Sequence, residues 1–144
     1  MSYVIAKVDV WVGSMEDRPG ALAGILDSLG QAKANLEFVI ARRAPDKPGT
    51  GVVFLAPLKG AAQLKAAKAA GLKKSGSLHS LRLEGPDKAG IGAMITRALA
   101  QANINLRGLS AAALRRRCVV YFAFGTAEDA TKARRVLKSA LSAK

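Results

Sequence analysis

The sequence predicts an α+β fold made of two repeated units, and three observations predict it. The segment Asp17–Arg43 realigns without a gap on Asp87–Ala113, seventy residues later, with ten of 27 residues identical. In both copies, stretches that alternate apolar and polar residues, as strands do, flank a stretch with the apolar spacing of a helix. Because such a repeat sets the architecture, we expect domains over 1–75 and 76–144, each an antiparallel sheet with its helices on one face.

The elements of the first unit follow from its apolar pattern. Strict alternation predicts one long strand over Tyr3–Gly13, with Val8 and Val12 on its core face. The apolar stripe from Leu22 to Leu29 predicts an amphipathic helix over Gly20–Lys33. The remaining predicted elements are strands over Asn35–Arg43 and Val52–Ala56, a helix over Gly60–Ala70 and a short strand over Leu72–Ser75.

The second unit repeats this order up to its last helix. We predict strands over Ser77–Glu84, Ile104–Ala113 and Arg117–Gly125, a helix over Gly90–Ala102, and a final helix that begins at Thr126 and continues through Leu141. A fourth strand is missing from this unit, and we hypothesise that Tyr3–Gly13 or a second chain supplies it. When the two units are aligned, the apolar residues of their opening strands fall at alternate positions and so on opposite faces. A bulge near Gly13 or Ser14 would bring the two strands into agreement.

Composition excludes several classes of protein. Lys and Arg number 23 against 10 Asp and Glu, a net charge of +13 that predicts attraction to anions, and these residues are spread as on a solvated surface. No apolar run is long enough to cross a membrane and no signal peptide is evident, so we expect a cytoplasmic protein without membrane contact. With His79 as the single histidine and Cys118 as the single cysteine, we expect no metal site, no cofactor and a buried, inert thiol.

The two turns between a strand and a helix, Asp17–Gly20 and Asp87–Gly90, are the candidate binding sites. A helix start offers unpaired backbone N–H groups, and glycine lets the backbone approach a ligand closely. We expect Asn35 and Asn105, which start the next strands, to lie beside these turns, where an amide can donate and accept. The alternative, in which the aspartates only cap helices and the asparagines only turn the chain, stays open.

This pattern resembles the ACT domain, a ferredoxin-like βαββαβ module that binds amino acids. The resemblance lies in Glu16–Gly20 with Ala34–Leu36, and in Pro86–Gly90 with Ile104–Leu106. It implies sheets paired side by side and ligand sites at the loops, often where two units meet. The ligand-binding residues that it implies are Met15, Glu16, Asp17, Arg18, Pro19, Gly20 and Asn35 in the first unit, and Gly85, Pro86, Asp87, Lys88, Ala89, Gly90 and Asn105 in the second.

The resemblance implies a non-catalytic regulator. We expect a homodimer that binds a small amino acid and signals to an enzyme or a transcription factor. An enzyme is disfavoured because the sequence has no catalytic pair, P-loop or dinucleotide motif. Two alternatives remain: an ACT scaffold that has lost its ligand, and a basic nucleic-acid-binding protein of ferredoxin-like fold. The second is disfavoured because Arg117–Phe124 lacks the glycine-aromatic core of RNA-recognition strands.

Overall fold

The computed structural model describes residues 2–76 and 78–142. The predicted strand start at Ser77 and the outer ends of the two predicted domains lie outside these ranges. The elements are β1 (Val4–Val8), β2 (Trp11–Glu16), α1 (Ala21–Gln31), β3 (Phe38–Arg43), β4 (Thr50–Ala56), α2 (Gly60–Ala69), β5 (Lys73–Lys74), β6 (His79–Pro86), α3 (Ile91–Gln101), β7 (Gly108–Leu114), β8 (Arg117–Phe124) and α4 (Ala127–Ser142).

The described residues form two units, each with one four-stranded antiparallel sheet. The continuous unit, Asp9–Ser75, has the strand order β3-β4-β2-β5. The discontinuous unit, formed by the residues up to Val8 and from Gly76 onward, has the order β1-β6-β8-β7. In both sheets the first and third strands of the βαββαβ order lie in the centre and the second and fourth at the edges. The predicted α+β class with two ferredoxin-like repeats is confirmed.

The predicted single strand Tyr3–Gly13 is wrong, because this segment contributes to two different sheets. Its first part, β1, pairs with β6 from Val4 opposite Glu84 to Val8 opposite Ser80, and its last part begins β2. The N-terminal segment therefore supplies the missing fourth strand, which was the first of the two hypothesised sources. As a consequence, residues of β1 belong with the second repeat and not with the predicted domain 1–75. Alternation shows that a segment is extended, but it does not identify the neighbour that its backbone will pair with.

The expected bulge near Gly13 or Ser14 is also absent. β2 pairs with β4 in unbroken register from Trp11 opposite Leu55 to Glu16 opposite Thr50. Trp11 packs on the core of its unit, as Leu81 does in the other unit, so the equivalent residues of β2 and β6 face the same way. The apparent disagreement between the two opening strands came from the prediction that Val12 faces the core. In β2 the core face is occupied by its neighbour Trp11 instead.

The core of each unit lies between its sheet and its two helices. In the discontinuous unit, Ile5 of β1 packs with Leu81 and Leu83 of β6 and with Phe122 and Phe124 of β8, under Leu99 and Leu137. In the continuous unit, the buried core is made by Ile25, Leu29, Val53, Leu55, Ala67 and Leu72. The predicted helical stripe of the first unit is thus confirmed at Ile25 and Leu29. The predicted start of the last helix at Thr126 agrees with its cap, since the Asp129 N–H donates to Thr126 Oγ1 at 3.0 Å.

We expect Cys118 to react slowly with thiol reagents in the folded protein. Its side chain is buried, its Sγ lies 3.7 Å from the Pro86 carbonyl oxygen, and burial raises the pKa of the thiol. The thiolate is the reactive form of cysteine, and because the pKa is raised, little thiolate is present at pH 7. Labelling with an aromatic disulfide should be slow in buffer and complete in denaturant. Fast native labelling at pH 7 would contradict a buried Cys118.

Candidate functional site

The first predicted loop, Met15–Gly20, joins the end of β2 to the start of α1. Gly20 has a φ of 89°, a left-handed conformation in which it enters the helix without strain. Backbone bonds hold the loop: the Asp17 N–H donates to the Gly49 carbonyl at 3.1 Å, and the Ala21 N–H to that of Arg18 at 3.3 Å. No side chain caps α1. The capping alternative is therefore not supported for Asp17, whose carboxylate is directed elsewhere.

A cavity of about 180 Å³ lies against this loop. Arg43 pairs with Gly51, and Gly51 pairs with Met15, so these three residues point to the helix-covered side of the sheet. The space lies between that side of the edge strand β3 and the first turn of α1. Its lining is Met15, Glu16, Asp17, Arg18, Ala21, Leu22, Ala41, Arg42, Arg43 and Gly51. Glycine at 51 keeps the space next to Met15 open, because a methyl group there would lie 3.1 Å from Met15 Cε.

Charges of both signs surround this cavity. Asp17 Oδ2 lies 2.8 Å from Arg43 Nε, and Glu16 Oε1 lies 2.6 Å from Arg18 Nε. Arg42 faces the other side of the sheet, where its guanidinium carbon lies 5.8 Å from the centroid of the Phe54 ring. All of these ion pairs are solvent-exposed and each stabilises the fold by less than about 1 kcal/mol. A ligand with an ammonium and a carboxylate group could exchange into them at little cost.

The predicted position of Asn35 beside this loop is wrong. Asn35 precedes β3, whose first residue Phe38 pairs with Ala56, while the cavity lies where Arg43 ends β3. Since α1 carries the chain back across the sheet, β3 begins at the end opposite the loop. At about 3.3 Å per residue, the length of β3 separates the two by more than about 15 Å.

Asn105 follows the same geometry in the discontinuous unit. It precedes β7, whose first residue Gly108 pairs with Ala123, whereas Pro86, at the loop, pairs with Arg117. Neither asparagine can therefore join the loop of its own unit.

The second predicted loop, Gly85–Gly90, has the same backbone turn. Gly90 has a φ of 86°, and the Ile91 N–H donates to the Lys88 carbonyl at 3.2 Å. The Asp87 N–H donates to the Arg116 carbonyl at 2.8 Å, which ties the loop to the neighbouring hairpin. The predicted residues Pro19, Lys88 and Ala89 of the two loops are exposed.

The side chains around the second loop differ from those around the first. The Tyr3 ring lies over Gly85, so that a methyl group there would collide with it, and Tyr3 Oη donates to the Pro86 carbonyl at 2.7 Å. Burial raises the pKa of this phenol, and the nearby Cys118 and Asp87 raise it further. Thus an aromatic ring covers the base of the second loop, where the first loop has Met15 and an open space.

The strand arginines of the first site have no counterpart at the second. The repeat offset of seventy and the register both place Ala112 and Ala113 of β7 where Arg42 and Arg43 lie in β3. Neither Arg43 nor Tyr3 is predicted from the sequence to lie at these loops. The aligned repeats do carry a signal for both, because a pair of alanines replaces the arginines and Gly85 replaces Met15.

Other kinds of site find no support in the described ranges. Residues 2–76 and 78–142 contain no group of three His, Cys, Asp or Glu side chains placed to hold a metal ion. Over the same residues, none of the helices is both long enough and apolar enough to pass through a lipid bilayer.

Comparison with known proteins relates the chain to others by structure alone. No family model matches the sequence, and no curated protein does. A solved protein from Bacteroides thetaiotaomicron matches with a TM-score of 0.78 and 14% identity, over 94% of this chain and 89% of its own. The ligand-free regulatory subunit of aspartate kinase from Thermus thermophilus matches with a TM-score of 0.67 and 17% identity, over 97% of each chain.

The chain has a tandem ACT fold. A longer protein, E. coli aspartokinase III in complex with aspartate and ADP, also contains this fold. It matches 98% of this chain over 33% of its own length, with a TM-score of 0.61 and 14% identity. The predicted resemblance to paired ACT repeats is thus confirmed as a fold, and this chain matches a regulatory subunit of its own size.

Proposed function

We propose that this tandem ACT chain is a non-catalytic regulatory protein that binds a small amino acid at the loop Met15–Gly20. The observation that carries the proposal is the cavity of about 180 Å³ beside this loop, lined by carboxylates and guanidinium groups. Its volume equals that of about six waters in the liquid, which suits a ligand of a few heavy atoms. Its opposite charges suit a zwitterion, whose ammonium would meet Asp17 and whose carboxylate would meet Arg43 and the N–H groups at the start of α1.

The first loop is a better ligand site than the second. At the second loop the Tyr3 ring covers Gly85, and alanines stand where the strand arginines of the first unit lie. A carboxylate entering there would lose its guanidinium partner, and the ring would have to move. We therefore propose one amino acid per chain, at Met15–Gly20.

We further propose that the bound state is passed to a partner enzyme. Regulatory subunits of aspartate kinase share the fold over nearly their full length, which supports a regulated enzyme as the partner class. The proposal also includes the homodimer expected from the sequence. Nucleic-acid binding is disfavoured, because Phe122, Phe124 and Tyr121 of β8 are buried and offer no stacking surface to bases.

A thermal-shift series with each of the twenty amino acids tests the proposal. A ligand at a hundred times its dissociation constant stabilises the folded state by about 2.7 kcal/mol, which is readily visible as a rise in Tm. We expect a selective rise, which Asp17→Asn removes because the amide keeps the shape but loses the charge that an ammonium needs.

The matched control is Asp87→Asn at the equivalent position of the second loop. It should keep the full rise in Tm, since the second loop is covered by Tyr3. A rise that survives Asp17→Asn, or a series with no rise at all, would overturn the assignment; the latter would favour the ligand-free scaffold.

A further inference from the structure

The discontinuous unit contains a cavity of about 270 Å³ where the start of β1 meets the last turns of α4. β1 is an edge strand of its sheet, and α4 packs against it. The cavity is lined by Ser2, Tyr3, Ile5, Lys138, Leu141 and Ser142. All of these residues belong to one unit, and none of them lies in the loops Met15–Gly20 and Gly85–Gly90. The cavity is therefore separate from the proposed amino-acid site.

The floor of this cavity is apolar and held in place. Ile5 pairs with the core residue Leu83, so Ile5 faces the helix-covered side of the sheet, and Tyr3, two residues earlier, faces the same way. Ile5 is only 4% exposed, while the Tyr3 ring and Leu141 are partly buried against the same core. The bond from Tyr3 Oη to the Pro86 carbonyl fixes the ring. An apolar ligand group would thus meet a preformed surface.

The rim of the cavity is positively charged. Lys138 is the one cation among the described residues that line it, and these include no acidic residue. The Lys138 ammonium forms no ion pair with any residue in 2–76 or 78–142. α4 has no acidic residue after Asp129, and Arg134 precedes Lys138 by about one turn. A carboxylate at the rim would therefore neutralise a charge that the described part of the chain leaves unpaired.

The surroundings of Lys138 favour an amphiphilic anion over a simple one. The cavity lies at the C-terminal end of α4, where unpaired backbone carbonyls carry partial negative charge. These carbonyls oppose the attraction of a single lysine for a small inorganic anion, and an exposed lysine by itself is usually a solvated surface charge. An apolar group placed over Ile5, Tyr3 and Leu141 adds the burial that a lone charge lacks.

We propose that this cavity binds a small monocarboxylic acid with an apolar body. Its carboxylate would accept hydrogen bonds from Lys138 Nζ and the Ser2 hydroxyl, and its body would cover Ile5 and Leu141. The volume of about 270 Å³ equals that of about nine waters in the liquid, which suits a ligand of about that many heavy atoms. This binding does not depend on an amino acid at Met15–Gly20.

Heptanoate, whose size matches this volume, is the probe. Its binding to the whole chain is followed by amide chemical shifts in a proton–nitrogen NMR titration, and we expect shifts in 3–5 and 138–142 with a dissociation constant of about 1 mM. Heptanamide has the same shape without the charge and should bind about fivefold more weakly. Acetate keeps the charge without the chain and should bind at least about tenfold more weakly, because it buries little apolar surface.

The variant Lys138→Gln removes the charge and keeps a long polar side chain at an exposed position, so the urea midpoint should not change. We expect it to weaken heptanoate binding about fivefold and to leave heptanamide binding unchanged, a selective loss that a general loss of structure would not produce. The charge-matched control is Lys65→Gln at an exposed position of α2, in the continuous unit and outside this cavity. It should change the heptanoate affinity by less than about 1.5-fold.

Three results would overturn the proposal. The first is equal binding of heptanoate and heptanamide, or no shift with heptanoate up to about 20 mM. The second is heptanoate binding that Lys138→Gln leaves unchanged, or whose shifts fall in 15–20 instead, which would assign the acid to the amino-acid site. The third is a set of shifts in 2–5 and 138–142 that appears without ligand and grows with protein concentration, which would assign the cavity to a second copy of this chain.

Discussion

Replacing Ile5 with alanine should destabilise the discontinuous unit by about 2–5 kcal/mol, because Ile5 is buried in its core and a cavity would remain. Ile5 pairs with Leu83 of β6, so the effect should appear in the second repeat although the substitution lies at the start of the chain. Native-state hydrogen exchange measures this directly. We expect faster exchange in 80–84 and unchanged exchange in β4 of the continuous unit.

The matched control is Val4→Ala in the same strand. Val4 is 61% exposed, so its truncation should change stability by no more than about 0.5 kcal/mol. If Ile5→Ala instead loosened β4 and left β6 protected, β1 would belong with the first repeat, and the division of the chain described above would be wrong.

Replacing Gly85 with alanine should destabilise the same unit by about 1–3 kcal/mol, because the new methyl group would collide with the Tyr3 ring. The ring is held by its hydroxyl bond to the Pro86 carbonyl and can yield only by breaking that bond. A double-mutant cycle separates this contact from the effect of alanine itself. In a Tyr3→Ala background, Gly85→Ala should be close to neutral, since the ring is gone.

Gly108→Ala is the control for adding a methyl group to a strand glycine of the same unit. The new methyl group would lie 3.9 Å from Ala123 Cβ, an ordinary contact, so we expect no loss of stability. The urea midpoint of each variant gives the comparison. Additive effects of Tyr3→Ala and Gly85→Ala would show that the ring does not lie over Gly85, and the reason given for one amino-acid site per chain would be lost.

Most of the element order could be predicted from the sequence. The apolar stripe ending at Leu29 predicted a helix, because a helix that covers a core has apolar residues along one face. The repeat of Asp17–Arg43 predicted the two-unit fold. The boundaries of α1 and α3 also agree to within a few residues, as is usual for helix ends. Both loops were found as turns between strand and helix, at Gly20 and Gly90.

The composition of the site could be predicted only in part. Met15–Arg18 do line the cavity, because they adjoin α1 in sequence. Arg43 and Gly51 were missed, because strand pairing brings them to the loop from distant positions in the chain. Asn35 was misplaced for the opposite reason: closeness in sequence to the helix end did not translate into closeness to the loop.

By itself the sequence determined that two βαββ units repeat, that their helices are amphipathic, and that a strand-helix loop with glycine follows the first strand of each. The tertiary structure decided which strands pair, and this placed Val4–Val8 on the second unit's sheet, set Tyr3 over Gly85 and brought Arg43 to Asp17. The reason is physical. Periodicity records which face of a segment is apolar, but strand partners are chosen by backbone hydrogen bonds that every residue can make and that leave little record in the side chains.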